Sequence, residues 1–270
     1  MMFIDINAYV GHWPFRNLKY NTLEGLDKLA REYGVTHMVV ANLNGFFYKD
    51  ANEANLELLE ELEGYKGETE FLPLAIVNPA YPAWEADARE MIKQGFAGFE
   101  IAPLYHGYSL APEILLDTYV PTHRALQVLD LAEELDVPVR ICAGIENFRG
   151  RSPYDTYANI KGEDCFALLS KNKNVHVFVT SFSPTAAGEH FSKLLKEREN
   201  TYFDLTQGAP LFSRNYVIKL LENISNKQLC FGSLSPFCYM SAELIKMEYI
   251  SEFDSETMKV NSARAFKKLR

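Results

Sequence analysis

Cysteine is scarce and carries no pattern. The chain has four in 270 residues, Cys142, Cys165, Cys230 and Cys238. No CxxC pair occurs, and the spacings fit neither a zinc finger nor a small disulfide scaffold. Basic runs are missing apart from the terminal FKKLR, and the net charge is −9. A phosphate-binding surface needs clustered positive charge, so nucleic acid is not an expected partner. No stretch of 18 apolar residues exists, so no membrane span is expected. The opening MMFIDINAYV lacks a basic region followed by a long apolar run. The expectation is therefore no secretory leader, with a reducing cytoplasm as the compartment. There is also no phosphate-binding glycine loop, nucleophile elbow or HExxH pair. With no linker, repeat or low-complexity segment, residues 1–270 are expected to form a single domain.

What the sequence does have is alternation. Short runs rich in β-branched and aromatic residues recur: FIDINAY (3–9), HMVVANLN (37–44), FLPLAIVN (71–78), GFEIAP (98–103), PVRICA (138–143), VHVFVTSF (175–182), TYFDLTQ (201–207) and LCFGSLS (229–235). Each is bounded by turn residues and reads as a strand. Helical stretches lie between them, at Leu23–Tyr33, Asn52–Tyr65, Trp84–Gln94, His123–Leu135, Glu163–Lys171, Ala186–Glu197, Asn215–Ile224 and Tyr239–Tyr249. In THRALQVLDLAEELD, Ala125, Val128, Leu129, Ala132 and Leu135 recur at three and four residues, one apolar stripe for a sheet, with Thr122 ahead as N-cap. Eight such pairs predict an α/β fold, a single (β/α)8 TIM barrel with an extra C-terminal helix over SETMKVNSARAFKKL. A doubly wound open sheet is the alternative, but it usually has fewer strands and a glycine fingerprint at its first turn. The longest insertions follow the fourth and fifth strands, on the face where barrel enzymes keep their chemistry.

Strand residues alternate faces. Setting Ile4, Ile6 and Ala8 outward puts Asp5, Asn7 and Tyr9 inside. The same rule places Gly98, Glu100 and Ala102 inside, then Arg140 and Cys142, then Val177, Val179 and Ser181. Asp204 and Thr206, and finally Cys230, Gly232 and Leu234, complete the inward set. Burying Asp5, Glu100, Arg140 or Asp204 unpaired would cost several kcal/mol each. Glu100 and Arg140 stand on neighbouring strands and are expected to form an ion pair. Asp5 is expected to hold a backbone N–H or a serine.

The stretches IDINAYVGHWPF, GFAGFEIAPLYHGYSL, ELDVPVRICAG, NVHVFVTSFS, LCFGSLSPF and VNSARAFKKL, in that order and spacing, resemble the amidohydrolase-related family. These are metal-dependent hydrolases of TIM-barrel fold, and the resemblance covers nearly the whole chain. It implies four histidines of the metal site and one catalytic aspartate, and each of these five positions is changed here. The family's paired histidines of the first strand fall on Asn7 and Tyr9. Its fifth-strand histidine falls on Cys142 and its sixth-strand histidine on Ser181. The eighth-strand aspartate, which takes a proton from the metal-bound water, falls on Leu234. A tightly held divalent ion wants three or more N, O or S donors converging at about 2 Å. Asn7 and Ser181 are weak ligands, Tyr9 would have to ionise, and one thiolate does not make a zinc site. No cofactor is therefore assigned, with a zinc-like divalent metal as the minor alternative. Hydroxide attack from a metal-bound water has lost its ligands and its base.

The remaining candidates are as follows. His106 is the acid/base, with Asp204 as its partner or as an alternative base. Cys142 is a nucleophile if a base lies near it, although a lone buried cysteine is more often an inert filler. His12, Trp13, Tyr9, Tyr105, Glu100, Arg140, Arg149, Asn7 and Ser181 are the substrate-binding set. Trp13, Tyr105 and Tyr108 would wall a pocket suited to a ring or apolar group, or simply plug the mouth. Arg149, in GIENFRGRSP beside Glu146, would clamp a carboxylate bidentately. Two functions follow. One is a hydrolase, or related lyase, acting on a small carboxylated or cyclic molecule through a rearranged site. The other is a non-catalytic relative that binds a small molecule or serves as a scaffold. The expected partner is a small-molecule ligand, and homo-oligomerisation is left open.

Overall fold

The computed structural model describes residues 2–114, 121–146, 151–155, 160–181, 188–206, 221–222 and 224–269. Arg149 and most of the helix expected over 215–224 lie outside the described residues. Strand β1 spans Ile4–Val10, β2 His37–Asn42, β3 Glu70–Ile76 and β4 Gly98–Ile101. Two-residue strands β5 (Glu113–Ile114) and β6 (Pro121–Thr122) form a separate antiparallel pair. Strands β7 (Val139–Cys142), β8 (Val177–Thr180) and β9 (Thr201–Phe203) complete a parallel sheet of seven strands in the order β1-β2-β3-β4-β7-β8-β9. Beyond β9, segment 229–235 hydrogen-bonds to both ends of that sheet. Cys230 N donates to Phe203 O (2.9 Å), Ile6 N to Phe231 O (3.0 Å) and Tyr9 N to Ser235 O (2.8 Å). Parallel bridges join Phe203 to Leu229 and Ala8 to Ser235. The backbone ladder thus runs from the last strand back to the first, as the curvature of a TIM-barrel-like sheet requires.

Helix α1 is Leu23–Tyr33, α2 Ala51–Gly64, α3 Trp84–Lys93, α4 Pro103–His106 and α5 Arg124–Leu135. Helices α6 (Gly162–Leu169), α7 (Gly188–Glu197), α8 (Met240–Tyr249) and α9 (Ser255–Val260) follow. Local chemistry sets their ends. Thr22 Oγ1 accepts from Gly25 N (3.1 Å) at the start of α1, and Gly34 (φ 73°) closes it in the left-handed conformation. Thr122 is not the cap of α5. It lies in β6, and His123 occupies the N-cap position without a side-chain cap bond. The single C-terminal helix expected over 255–269 is instead the short α9 and two 3-10 turns, Asn261–Ala265 and Lys267–Leu269. Asn261 Nδ2 is the reason, because it donates to Asn226 O (2.7 Å) and Leu229 O (2.6 Å) and ties the chain to the closing segment there.

The apolar interior has two layers. One holds Val10, Phe99, Ile101, Val139, Ile141, Phe203 and Phe231 with helix residues such as Leu26, Ala30, Val128 and Leu129. The other gathers Tyr9, Val39, Leu72, Leu74, Cys142, Phe178, Tyr202 and Cys230. Two facing assignments are corrected by this division. Val177 and Val179 belong to the helix-side layer, and Phe178 takes the other, stacked on Tyr202 at 4.8 Å and on Phe266 at 5.6 Å. A strand apolar on both faces gives alternation nothing to choose between. In β1, Ile4 and Ile6 pack with Tyr9, whereas Ala8 and Val10 pack with the helices. A register shift between Asp5 and Ala8 breaks the strict period of two there. Among the described residues no helix is long and apolar enough to cross a membrane.

Candidate functional site

Glu100 and Arg140 are register partners on β4 and β7, and both side chains are fully buried. Arg140 Nε donates to Glu100 Oε2 at 2.9 Å, and Nη2 donates to the same oxygen. The guanidinium also reaches the carbonyls of Ile6 (2.9 Å) and Val39 (3.0 Å), on β1 and β2. Its charge lies over the Tyr9 ring at 4.6 Å, and Tyr9 donates its hydroxyl to Glu100 Oε1 at 2.7 Å. Burial alone would lower the Arg140 pKa. The Glu100 carboxylate more than offsets it, so the guanidinium stays protonated. The expected ion pair is present, with Tyr9 as a third member.

A second polar cluster lies where β1 meets β9 and the closing segment. Asn7 Nδ2 donates to Asp204 Oδ2 at 2.6 Å, with Ser181 Oγ and Thr206 Oγ1 both at 3.4 Å. Asp204 Oδ1 accepts from Ser181 N at 2.8 Å, and the Ser181 and Thr206 hydroxyls meet at 3.3 Å. Burial raises the Asp204 pKa, and the bonds from Ser181 and Asn7 oppose that rise. Asp5 holds backbone N–H groups, as expected, accepting from Asn7 N (3.0 Å) and Ser233 N (2.9 Å). Burial pushes its carboxyl up to about 6. Ser181 (φ 58°) and Leu234 (φ 52°) both adopt the left-handed conformation, which costs a side-chain-bearing residue about 1 kcal/mol. The Ser181 N–H bond to Asp204 holds the first. Bonds from Phe237 N (2.8 Å) and Cys238 N (3.2 Å) to Leu234 O hold the second.

Among the described residues, aromatic rings pack against one another at the mouth. Trp13, 1% exposed, meets Phe15, Phe47, Tyr105 and Phe237 edge-on at 5.0–5.9 Å between centroids. Tyr105 stacks on Phe46 at 5.1 Å, and Tyr9 meets Phe46 at 5.9 Å. Burial raises the Tyr105 phenol pKa. Trp13 and Tyr105 therefore come together as expected, and as a packed plug. His106, at the end of α4, points Nε2 at Gly45 O (2.9 Å). A carbonyl only accepts, so Nε2 carries the proton and Nδ1 keeps its lone pair, buried and without a partner among the described residues. Burial lowers the His106 pKa and keeps the ring neutral. His106 and Asp204 share no hydrogen bond: their partners are Gly45 and Asn7 with Ser181. His12 is exposed, and its backbone N–H donates to Asn44 Oδ1 at 2.9 Å. Glu146 pairs with Arg16 (2.6 Å), a residue the sequence reasoning passed over. Periodicity gives no signal for Arg16, because it lies on a loop.

The donor set does not fit the divalent metal that the resemblance implies. Asn7 turns its amide nitrogen to Asp204, and its oxygen is buried without a partner among the described residues. The Tyr9 hydroxyl donates to Glu100, and burial raises its pKa well above the ordinary range. Burial pushes the Cys142 thiol up to about 12, so it is protonated at neutral pH and poor as a nucleophile. Leu234 has no donor atom. Among the described residues, no three His, Cys, Asp or Glu side chains gather in a group able to hold a metal ion.

The family model described as amidohydrolase matches residues 9–244, and the chain belongs to that family. Solved structures share its fold at low identity. A 2,6-dihydroxybenzoate decarboxylase from Rhizobium is 14% identical with a TM-score of 0.67, covering 99% of each chain. A probable 2-pyrone-4,6-dicarboxylic acid hydrolase from Acinetobacter baumannii, with citric acid bound, is 14% identical at TM-score 0.66, covering 98% of this chain and 99% of its own. A 5-carboxyvanillate decarboxylase from Novosphingobium aromaticivorans, with bound manganese, is 14% identical at TM-score 0.66, covering 98% and 97%. No curated protein matches the chain in sequence.

Proposed function

We propose that this amidohydrolase-family chain binds a small carboxylated or cyclic molecule at the mouth of one (β/α)8 barrel, and does so without the family's metal. In this reading 229–235 is the eighth stave and the chain is one domain. One observation carries the metal-free part. Asn7, where the family's first histidine falls, commits its amide nitrogen to Asp204 at 2.6 Å and has only a neutral amide oxygen, a weak ligand, left to offer a metal. The names of the structural neighbours support the ligand class, since they refer to carboxylated ring compounds.

A second reading, a metal-free hydrolase or lyase, is favoured by His106. Its ring is neutral, its tautomer is fixed by Gly45, and its Nδ1 lone pair is uncommitted, which are the properties of a general base.

Elemental analysis after loading with zinc or manganese and desalting tests the metal-free reading. Well below one equivalent is expected, and a stoichiometric, chelator-sensitive ion overturns it. Thermal shift across small ring carboxylates tests binding, and a Tm unmoved by every member overturns that part. His106→Gln distinguishes the second reading, because it abolishes any turnover and leaves binding in place.

A further inference from the structure

A cavity of about 280 Å³ lies beside the mouth, between the loop that leaves β1 and the turn that enters α8. Tyr20, Tyr33, Phe237 and Tyr239 supply its rings, and Arg16 and Lys19 its charge. None of its lining residues is acidic, although the chain has 36 acids against 27 Lys and Arg. A chance lining in so acidic a protein would be expected to include carboxylates. The charged side chains that line this cavity are thus both cations, although the molecule as a whole is negative.

The two cations are held differently. Lys19 is exposed and lies 4.9 Å from the Tyr20 ring centroid, with no carboxylate partner among the described residues. Arg16 packs over Phe237 at 5.6 Å and gives Nε to Glu146 and Nη2 to Phe237 O (3.4 Å). Its Nη1 has no partner among the described residues and is free to donate to a carboxylate oxygen. Tyr20 is held in the left-handed conformation (φ 68°), rare for an aromatic residue. Gly25 makes that possible, because a Cβ there would come within 2.6 Å of Tyr20 Cα. The backbone that carries the Tyr20 ring is thus packed against the first turn of α1.

We propose that this flanking cavity, and not the barrel axis, takes an aromatic carboxylate, its ring between Tyr20 and Phe237 and its carboxylate on Lys19 and Arg16. The proposal rests on the small-molecule reading above, moves the ligand from the mouth itself to the cavity beside it, and adds a charge requirement. Size supports a single ring, as the volume is at the lower end for small-molecule sites.

Titration of the purified full chain with benzoate, and with neutral benzamide of the same shape, tests it. Benzoate is expected to bind at least about tenfold more tightly than benzamide, the factor that one charge-assisted contact supplies. Lys19→Ala and Arg16→Ala are each expected to weaken benzoate by a similar factor. Lys19 is exposed, so its variant keeps the wild-type Tm and serves if the Arg16 variant folds poorly. Labelling of methionine methyls is expected to show benzoate shifting Met240, which lines the cavity. Benzoate binding weakened by Asn7→Ala and indifferent to Lys19→Ala would place the ligand on the axis and overturn this location while leaving the small-molecule reading intact. Equal affinity for benzamide would overturn the charge requirement. Absence of binding by every ring carboxylate would overturn both.

Discussion

Tyr9 and Glu100 are joined by a 2.7 Å hydrogen bond although β2 and β3 separate their strands in the sheet. Only a sheet curved strongly enough to face itself brings β1 and β4 within reach. Arg140 makes the same crossing from β7 to the carbonyls of β1 and β2. The interior is thus held by a buried charge pair whose spare hydrogen-bonding capacity is taken up by strands on the opposite wall. These bonds satisfy the polar atoms of the pair, which burial away from water requires.

Removing one member of that pair leaves the other charge buried. Glu100→Ala is expected to cost about 3–5 kcal/mol in urea unfolding, because Arg140 loses its counter-ion but keeps its charge. The double variant Glu100→Met with Arg140→Met is expected to recover most of that loss. A double variant as unstable as the sum of its singles would show that the pair acts independently, contrary to the geometry.

Glu243 makes stability depend on pH. Burial pushes its carboxyl up to about 7 from 4.5, against the pull of Lys246 at 2.8 Å, with Asp204 and Asp5 adding repulsion and the Cys238 thiol nearby. Folding raises this pKa, so the folded state holds a proton that the unfolded chain releases earlier. The stabilisation is full below about pH 4.5 and is lost as the pH rises through about 7. Glu243→Gln is expected to equal wild type in unfolding free energy near pH 4 and to exceed it at pH 8, by an amount on the order of 2–3 kcal/mol. Parallel pH profiles of unfolding free energy for the two proteins would rule this out.

Arg198 is buried with carbonyls in place of an acid. It donates to Leu169 O (3.3 Å), Val175 O (2.7 Å), Asn172 O and Thr201 Oγ1 (2.7 Å). Burial lowers its pKa to about 10, which still leaves it charged at neutral pH. It satisfies the C-terminal end of α6 and the approach to β8 at once. Arg198→Met is expected to lower stability by about 2–4 kcal/mol through those stranded carbonyls. Lysine, which cannot fork, is expected to restore only part. Chemical denaturation of the two variants measures it.

Much of this was legible in the chain, for physical reasons that differ by residue. The Glu100–Arg140 pair could be read because each side chain sits on a short strand of clear register and neither can be buried alone. Its third member, Tyr9, could be placed inside by alternation, but its bond to Glu100 depends on curvature, which no local pattern encodes. The facing of Val177 and Val179 was read wrongly because both faces of β8 are buried and apolar. Asp204 was placed inward correctly, and its partner Asn7 follows from closure of the ladder through 229–235. The Arg16–Lys19 cavity escaped the sequence reading because loops distant in the chain build it and neither has a period.

Gly232 tests whether the Asn7–Asp204 contact is structural. A Cβ at this position would lie 2.6 Å from Asp204 Oδ2, 2.7 Å from Asp204 Cβ and 3.1 Å from Asn7 Cβ. Real Cβ atoms do not approach side-chain stems so closely, and both neighbours are fully buried, so neither can swing into solvent. Gly232→Ala is expected to destabilise by about 1–3 kcal/mol, the range for added bulk in a packed interior. It should also separate Asn7 from Asp204. If Asn7 is only a remnant of a lost metal ligand, Asn7→Ala should be nearly neutral, because the bond it removes would contribute nothing. If the bond now supports the barrel, Asn7→Ala should cost about 1–3 kcal/mol, since it leaves the Asp204 carboxylate buried without its donor. The added loss from Gly232→Ala should then be smaller in that background than in wild type. The geometry favours the second result: a double-mutant cycle with a coupling near zero would show that the two residues are neighbours and no more.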